Sequence, residues 1–332
     1  MERAGRAKRI EGYELFMAIQ EAEHILLVVH VSPDGDAIGS MLGFYEMLTS
    51  VHKKVSMVVD DVVPKKFYVL PYAKDIKRPE TFEEADTVDL TIVLDASTWE
   101  RIGNADSIIH SKVINIDHHI SNSHYADELY WEPDAAATGE ILTMLIKRWN
   151  MPMSESMATA LYLAISADTG FFKFSNTTSK TLAAAALLVK EGAKTQAVAN
   201  IMDAVNPARL KALQRATGTI SYGYAGTAAM IWMDKETIEL VEGDTDGFVD
   251  IARNVEGVEL AILVKYVNEH QTKLSLRSQH LDVNALAARF GGGGHIRAAG
   301  CTMDVGFVDV EAQIWQAVGE QYGKDFNESL VD

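Results

Sequence analysis

Residues 24–48 read HILLVVHVSPDGDAIGSMLGFYEML, an apolar run followed by a short polar loop and a periodic segment. Residues 24–30 predict a buried strand, because a short apolar run bounded by turn residues is typical of one. After Asp36, apolar side chains recur at the three-and-four spacing of a helix face, at Ile38, Met41, Leu42, Tyr45 and Leu48. The order of strand, loop and helix predicts the first unit of an α/β fold.

The same alternation continues along the first half of the chain. Further strands are predicted over residues 55–60, 90–95 and 113–117, and further helices over residues 136–149, 155–167 and 179–190. Strands that alternate with helices favour a mostly parallel sheet flanked by helices. We therefore predict an N-terminal α/β domain over residues 1–195.

A second set of elements follows a helical connector. The connector is predicted over residues 196–220 and is interrupted by the Asn206-Pro207 pair. Beyond it, strands are predicted over residues 228–233, 260–267 and 273–277, and helices over residues 283–290 and 310–322. These elements predict a smaller α/β domain over residues 221–332.

The bulk composition disfavours several classes of protein. The formal net charge is −17, and because affinity for long nucleic acid depends on neutralising many phosphates, we expect no binding to long DNA. No apolar run approaches the ~20 residues needed to cross a bilayer, so we expect no membrane association. The basic residues 1–9 are followed by Glu11 and Glu14 rather than by a signal-like apolar core, and they predict a short solvated tail.

A single cysteine, Cys301, fits a reducing compartment. Disulfide frameworks belong to oxidising compartments, and one thiol cannot form an internal bridge. We therefore expect a cytoplasmic protein in which Cys301 is a small buried residue, as free cysteines commonly are.

Acidic and imidazole side chains stand where predicted strands or helices end. One strand ends on His30, Asp34 and Asp36, another on Asp95, a third on Asp117-His118-His119, and a helix ends on Asp168. A lone acid at such a position is usually a cap or turn residue. The strand ends of an open α/β sheet meet at one edge, where clustered carboxylates are costly unless cations neutralise them. The joint pattern therefore predicts a site for divalent cations.

These motifs resemble those of the DHH phosphoesterase family, which is named for the triplet found here at Asp117-His118-His119. Their order along the chain is that of the family's four motifs. In addition, residues 291–300, GGGGHIRAAG, are similar to the substrate-binding signature of the DHH-associated C-terminal domain. The resemblance implies a catalytic first domain and a substrate-binding second domain across a cleft.

The resemblance also implies two metal ions. The first would be held by His30, Asp34 and Asp95, and the second by Asp36, Asp95, His118 and Asp168, with Asp95 as the bridge. Oxygen-rich sites with one imidazole each suit Mn²⁺ or Mg²⁺ better than Zn²⁺ or Cu²⁺. We expect two Mn²⁺ ions, because imidazole is a poor ligand for Mg²⁺, and leave Mg²⁺ or another divalent cation open.

Two residues of the triplet have implied catalytic roles. His119 would face the scissile phosphate and stabilise charge or protonate the leaving oxygen. Asp117 would accept a hydrogen bond from an adjacent imidazole and so orient it. In the two-metal mechanism that the family uses, the cations acidify the attacking water and neutralise the phosphoryl oxygens.

Substrate contacts are expected mainly in the second domain, at Arg277, Gly292, Gly293, Gly294 and His295, with Arg101 as a further phosphate contact. Arg277 falls on the polar face of an alternating strand, and its planar fork suits phosphate. Glycines let backbone N–H groups approach an anion closely. Three phenylalanines, Phe171, Phe172 and Phe174, follow Asp168; we favour a core role for them, with base stacking as the alternative.

The resemblance is greatest to the bacterial oligoribonuclease and pAp-phosphatase branch, the NrnA type. It implies hydrolysis of short oligoribonucleotides to mononucleotides, removal of the 3′-phosphate of 3′-phosphoadenosine 5′-phosphate (pAp), or both. A phosphodiesterase for cyclic di-AMP or pApA is the close alternative. The glycine–histidine signature argues against an inorganic pyrophosphatase, and the complete ligand set argues against a non-catalytic nucleotide-binding regulator. The expected partners are short RNA or small nucleotide phosphates, and a homodimer is left open.

Overall fold

The computed structural model describes residues 7–243, 245 and 247–328. Contacts between Cα atoms divide the chain into two compact units, which meet in sequence between Ala204 and Val205. Within the described residues, no helix combines the length and the apolar character that a membrane span requires.

The first unit is an α/β structure built on one sheet. Its elements in chain order are β1 (Lys8–Arg9), α1 (Gly12–Glu21), β2 (His24–Val28), α2 (Gly35–Ser50), β3 (Lys54–Val58), β4 (Leu90–Leu94), β5 (Lys112–Asp117), β6 (Glu128–Trp131), α3 (Thr138–Arg148), α4 (Glu155–Asp168), α5 (Ser179–Lys190) and α6 (Thr195–Asp203). The strand order is β1-β6-β5-β4-β2-β3, and every strand pair is parallel. The predicted α/β class with a parallel sheet is confirmed.

The central strands β2 and β4 are apolar because the sheet is covered on both faces there. Along β2, Ile25 and Leu27 join the core formed with the long helices, whereas Leu26 and Val28 join a second core on the opposite face. That second face is covered by short 3₁₀ segments such as Trp99–Ile108 rather than by long helices. Burial on both faces explains why the strands read as continuous apolar runs instead of alternating with polar residues.

One expectation for the N-terminus is wrong. Lys8 and Arg9 do not belong to a solvated tail, since they form the edge strand β1 and pair in parallel with Glu128 and Leu129 of β6. Residues 1–6, the rest of the predicted tail, lie outside the described residues. Both residues of β1 are exposed, and they meet β6 through backbone pairing and through polar side-chain contacts, such as the hydrogen bond from Arg9 Nη2 to the carbonyl of Trp131 at 2.9 Å. The strand therefore leaves no apolar pattern in the sequence.

Helix α2 packs closely against α4 through a row of glycines. A Cβ atom at Gly39 would lie 2.4 Å from the carbonyl oxygen of Ala160, and one at Gly43 would lie 2.7 Å from Leu161. At the start of α2, a Cβ atom at Gly35 would lie 2.5 Å from the Cβ atom of Ala167. Glycines four residues apart thus let the two helix backbones approach, and they bring the start of α2 to the end of α4.

The second unit is a separate α/β structure with a mixed sheet. Its elements are α7 (Pro207–Thr217), β7 (Ser221–Gly223), β8 (Ala228–Met233), α8 (Lys235–Leu240), α9 (Phe248–Arg253), β9 (Leu260–Asn268), β10 (Gln271–Ser278), α10 (Val283–Ala288), β11 (Gly293–His295), β12 (Ala298–Met303) and α11 (Glu311–Glu328). The strand order is β11-β12-β10-β9-β8-β7, in which only the β8–β9 pair is parallel among the described residues.

The glycine contact yields a test of the fold. Gly39→Ala is expected to lower the free energy of unfolding by about 1–3 kcal/mol, because the new methyl group would overlap the backbone of α4. Chemical denaturation followed by circular dichroism measures the change. Gly323→Ala in α11 is the control, since no described atom lies within 4 Å of its added Cβ atom; it should be neutral or stabilise by up to about 1 kcal/mol. Equal effects of both substitutions would contradict this account of the α2–α4 contact.

Candidate metal centre

The predicted ligands come together at the carboxyl edge of the first sheet. His30 follows β2, Asp95 follows β4, and His118 follows β5, and these three strands are neighbours in the sheet. Asp36 lies in the first turn of α2, and Asp168 is the last residue of α4. Because α2 and α4 pack closely, the two helix-borne carboxylates reach the edge where the strands end.

The imidazoles of the candidate ligands His30 and His118 present the same ring nitrogen to the carboxylates. His30 Nδ1 lies 2.7 Å from the carbonyl oxygen of Val31, and His118 Nδ1 lies 3.2 Å from that of Ala135. A carbonyl oxygen can only accept a hydrogen bond, so Nδ1 carries the proton in each ring. In both residues Nε2 is therefore the atom that faces the acidic side chains, as in a metal-ligating imidazole.

The first group of candidate ligands surrounds His30. Its Nε2 lies 3.6 Å from Asp95 Oδ2 and 3.8 Å from Asp34 Oδ2, distances too long for hydrogen bonds. The other oxygen of Asp34, Oδ1, accepts hydrogen bonds from the N–H groups of Asp36 and Ala37, each at 3.0 Å, and so caps α2. Asp34 thus uses one oxygen to begin the helix and keeps the other for the site.

The second group surrounds His118. Its Nε2 lies 3.2 Å from Asp168 Oδ2, 3.4 Å from Asp95 Oδ1 and 3.9 Å from Asp36 Oδ2. None of these approaches has hydrogen-bond geometry, and Nε2 is buried without a hydrogen-bond partner among the described residues. A buried ring nitrogen left unpaired amid three carboxylates is costly for the protein alone. A divalent cation coordinated by all four side chains removes that cost, so these residues fit the metal that they are predicted to hold.

Asp95 belongs to both groups and turns one oxygen toward each. Oδ2 faces His30, whereas Oδ1 faces His118 and accepts a hydrogen bond from Thr138 Oγ1 at 3.1 Å. Its backbone is left-handed, with φ of +58°, a conformation that Asp and Asn adopt more readily than most residues. This arrangement is the one expected of a carboxylate that bridges two cations.

The pKa values of the clustered side chains are shifted in the direction that adds positive charge or removes negative charge. Burial opposes the charged form of His30, but Asp34 and Asp95 outweigh burial and raise the pKa of the ring to about 10. Burial likewise opposes the charged form of His118, while Asp168 and Asp95 raise its pKa to about 12. Burial raises the pKa of Asp36, and the nearby carboxylates raise it further. The raised pKa values of these groups favour their protonated forms, and divalent cations compete with protons for a cluster of this kind.

Asp36 is held by groups that the sequence did not reveal. Its Oδ2 accepts a hydrogen bond from the N–H of Thr138 at 2.7 Å, and its Oδ1 accepts from the N–H of Gly139 and the hydroxyl of Ser40, each at 2.9 Å. The first N–H groups of α3 thus point at a buried carboxylate, which the helix dipole also favours. Thr138 and Gly139 lie more than 100 residues from Asp36, and only the start of α3 was visible as a local signal.

His119 is held differently from the two ligand histidines. Its Nδ1 donates a hydrogen bond to Asp117 Oδ1 at 2.7 Å, and this contact raises the pKa of the ring. Asp117 is fully buried, and its Oδ2 accepts from Asn122 Nδ2 at 2.5 Å. His119 also lies near Asp95 and His118, but its Nδ1 is already engaged by Asp117. Asn122 was not predicted from the sequence.

All the predicted substrate contacts except Arg101 lie in the second unit, apart in sequence from this centre. In the second unit, Arg277 is half-buried on β10, and its Nη1 donates to the carbonyl of Leu276 at 3.0 Å. Gly293, Gly294 and the exposed His295 form β11. A Cβ atom at Gly292 would lie 2.2 Å from the carbonyl oxygen of Gly300, so the hairpin strands approach as only glycine allows.

Two other predicted residues have simple environments. Cys301 is buried, as expected, and burial raises the pKa of its thiol to about 11. The Arg101 side chain is exposed, whereas its backbone carbonyl accepts a hydrogen bond from the N–H of Val31 at 2.7 Å. The segment that carries Arg101 therefore supports the loop of the first motif through its main chain.

A parallel sheet whose carboxyl edge gathers two groups of candidate ligands around a shared carboxylate fits a metal-dependent hydrolase of phosphoester bonds. The chain matches the DHH family, N-terminal domain, over residues 24–165 and the DHHA1 domain over residues 236–322. It belongs to the DHH family of phosphoesterases, which depend on divalent metals. The predicted family is confirmed.

Curated relatives and a solved structure resemble the chain over most of its length. A bifunctional oligoribonuclease and PAP phosphatase NrnA from Thermus thermophilus is 30% identical over 280 residues, which cover 84% of each chain. The NrnA of Bacillus subtilis, which carries the same description, is 28% identical and covers 87% of this chain and 92% of the relative. The crystal structure of an exopolyphosphatase-related protein from Bacteroides fragilis superposes with a TM-score of 0.82 at 26% identity, covering 95% of this chain and 97% of that one.

The shared carboxylate can be tested by counting metals. Asp95→Asn is expected to lose both cations, because one neutral side chain replaces the charge common to the two groups. Asn also tolerates the left-handed backbone at this position, so the variant should fold. Native mass spectrometry on protein loaded with Mn²⁺ gives the stoichiometry. His295→Ala, in the second unit, is the control and should keep both ions; two bound ions in Asp95→Asn would rule out the bridging role.

Proposed function

We propose that this protein is a Mn²⁺-dependent hydrolase of short oligoribonucleotides that also removes the 3′-phosphate of pAp. The observation that carries the proposal is the pair of ligand groups that share Asp95. It is supported by relatives described as bifunctional oligoribonucleases and PAP phosphatases that match more than four fifths of the chain.

The donor set favours Mn²⁺ among the divalent cations. In the proposed assignment, His30, Asp34 and Asp95 hold one ion, and Asp36, Asp95, His118 and Asp168 hold the other. Each ion then has one imidazole nitrogen and otherwise carboxylate oxygens, a set that suits Mn²⁺ better than the softer Zn²⁺. When bound, such a pair of cations acidifies an attacking water and neutralises the phosphoryl oxygens.

The protein's own part in the reaction is proposed to centre on His119. The hydrogen bond from its Nδ1 to Asp117 fixes the ring orientation and favours the protonated imidazole. A protonated Nε2 can donate a hydrogen bond to a phosphate oxygen and then give its proton to the leaving oxygen. Asn122 and the backbone N–H of His118 both donate to Asp117, so the carboxylate that orients His119 is itself held in place.

The second unit is proposed to select the substrate. Arg277 offers a guanidinium group suited to a phosphate, and the backbone of Gly292, Gly293 and Gly294 can approach an anion without hindrance from side chains. His295 is exposed and available to a terminal phosphate or nucleotide. We propose the same domain limits as above, with catalysis in residues 1–195 and substrate selection in residues 221–332, in a protein of the cytoplasm.

The metal requirement gives a direct test. Chelation with EDTA is expected to abolish phosphoester hydrolysis, because the proposed nucleophile is a water molecule that only bound cations would acidify. Added Mn²⁺ should restore more activity than Mg²⁺, Zn²⁺ or Ca²⁺ at equal free concentration. Phosphate release from pAp, measured colorimetrically, follows the recovery. Full turnover in excess EDTA would contradict the metal mechanism, and better recovery with Mg²⁺ would contradict the choice of Mn²⁺.

Substrate length tests the second half of the proposal. The net charge of −17 gives little attraction along a long phosphate backbone. We therefore expect kcat/KM to fall at least about tenfold between a dinucleotide and an RNA of about 20 nucleotides. A length series at constant salt and Mn²⁺, resolved by anion-exchange chromatography, gives the ratio. Comparable values of kcat/KM on both RNAs would indicate an exonuclease for long strands. If the protein cleaved cyclic di-AMP or pApA in preference to other dinucleotides and pAp, it would be a different phosphodiesterase.

A further inference from the structure

The loop after Asp168 contains a left-handed turn with two large side chains. Gly170, Phe171 and Phe172 have φ angles of +53°, +58° and +63°. A left-handed backbone is uncommon in residues other than glycine and is a clear exception for bulky ones. Backbone conformations of this kind persist only where surrounding contacts hold them, and they cluster at functional sites.

The contacts that hold this turn are visible on both sides of it. Phe171 and Phe172 are half-buried and pack against the core of the first unit, which confirms the core role predicted for these two residues. Thr169 accepts hydrogen bonds from the N–H of Phe172 and from the N–H of Phe174, each at 3.0 Å. Asn176 Nδ2 donates to the carbonyl of Asp168 at 3.0 Å. The loop is therefore fixed directly to the backbone of a candidate metal ligand.

Phe174 differs from the other two phenylalanines. Its side chain is 53% exposed, so the prediction that it belongs to the core is wrong. The tip of its ring lies against Gly170, where an added Cβ atom would be 2.5 Å from the ring carbon Cζ. The turn thus packs two aromatic rings against the core and leaves the third exposed, six residues along the chain from Asp168.

We propose that Phe174 is a stacking surface for a nucleobase of the substrate; this inference rests on the function proposed above. A base is joined to its phosphate through a single ribose, so a phosphate near Asp168 brings a base close to the loop. An exposed aromatic ring on a fixed loop offers a planar apolar face to that base. Stacking of this kind is tolerant of base identity, because every base has a π-face, and it suits an enzyme that degrades short RNA of any sequence.

The test measures separately how the base and the phosphate contribute to binding affinity. Adenosine 5′-monophosphate (AMP) and ribose 5-phosphate differ only by the base, and AMP is a product under the proposed function, so its binding in Mn²⁺ can be measured without turnover. Phe174→Ala is expected to weaken AMP binding about tenfold, as loss of one stacking contact does, and to leave the affinity for ribose 5-phosphate unchanged. Isothermal titration calorimetry on the full chain gives both dissociation constants.

Further variants distinguish stacking from general apolar contact. Phe174→Tyr keeps a π-face and should retain AMP affinity, whereas Phe174→Leu keeps apolar bulk without an aromatic ring and should behave like Phe174→Ala. Tyr13→Ala is the matched control, since Tyr13 is an aromatic residue of α1 that is 72% exposed; it should bind both ligands like the unaltered protein. The upward shift of the melting temperature by Mn²⁺ should be equal in all five proteins, which verifies that the metal centre is intact.

Two outcomes would overturn the inference while leaving the proposed function standing. Phe174→Ala could lose affinity for AMP and ribose 5-phosphate equally, which would make the residue a support of the loop rather than a contact of the base. Alternatively, Phe174→Ala could bind AMP as tightly as the unaltered protein does. A different result, in which the unaltered protein binds AMP no better than ribose 5-phosphate, would count against nucleotide recognition itself and hence against the proposed function as well as the stacking.

Discussion

The contact between α2 and α4 is the constraint on which the metal centre depends. Gly35, Gly39 and Gly43 recur every four residues on one face of α2, and side chains at these positions would overlap α4. Because the backbones approach so closely, Asp36 at the start of one helix meets Asp168 at the end of the other. These two carboxylates come from motifs far apart in sequence, and the strands alone would supply only His30, Asp95 and the triplet beginning at Asp117.

Several carboxylates buried together lose hydration and repel one another, and other groups must offset this cost. The protein supplies hydrogen-bond donors, and cations supply opposite charge. Backbone N–H groups at the start of α3 and the hydroxyl of Ser40 hold Asp36, and Thr138 Oγ1 holds Asp95. These neutral donors orient the oxygens but do not cancel the charge. Full compensation needs cations, which is why a divalent metal is part of the family's chemistry rather than an addition to a complete protein site.

The hydrogen-bond acceptors of the Nδ1 atoms also distinguish the three histidines from one another. A backbone carbonyl accepts a hydrogen bond from Nδ1 of His30 and of His118, and both rings turn Nε2 to the carboxylates. In His119 the acceptor is the carboxylate of Asp117, which favours the charged ring. Adjacent histidines in one triplet thus acquire different chemistry from their hydrogen-bond acceptors. The exposed ring of Phe174 lies on a loop in which Asn176 donates a hydrogen bond to the carbonyl of Asp168.

The sequence by itself determined the α/β class, the principal strands and the residues that gather at the carboxyl edge, because apolar periodicity and strand-end acids are local patterns. Tertiary structure alone decided the edge strand at Lys8–Arg9, whose exposed side chains carry no apolar signal. It also decided the pairing of Asp36 with Thr138 and Gly139, and the exposure of Phe174 beside two packed phenylalanines. These features depend on which backbone groups meet after folding, and hydrogen bonds between segments a hundred residues apart leave no periodicity in either segment.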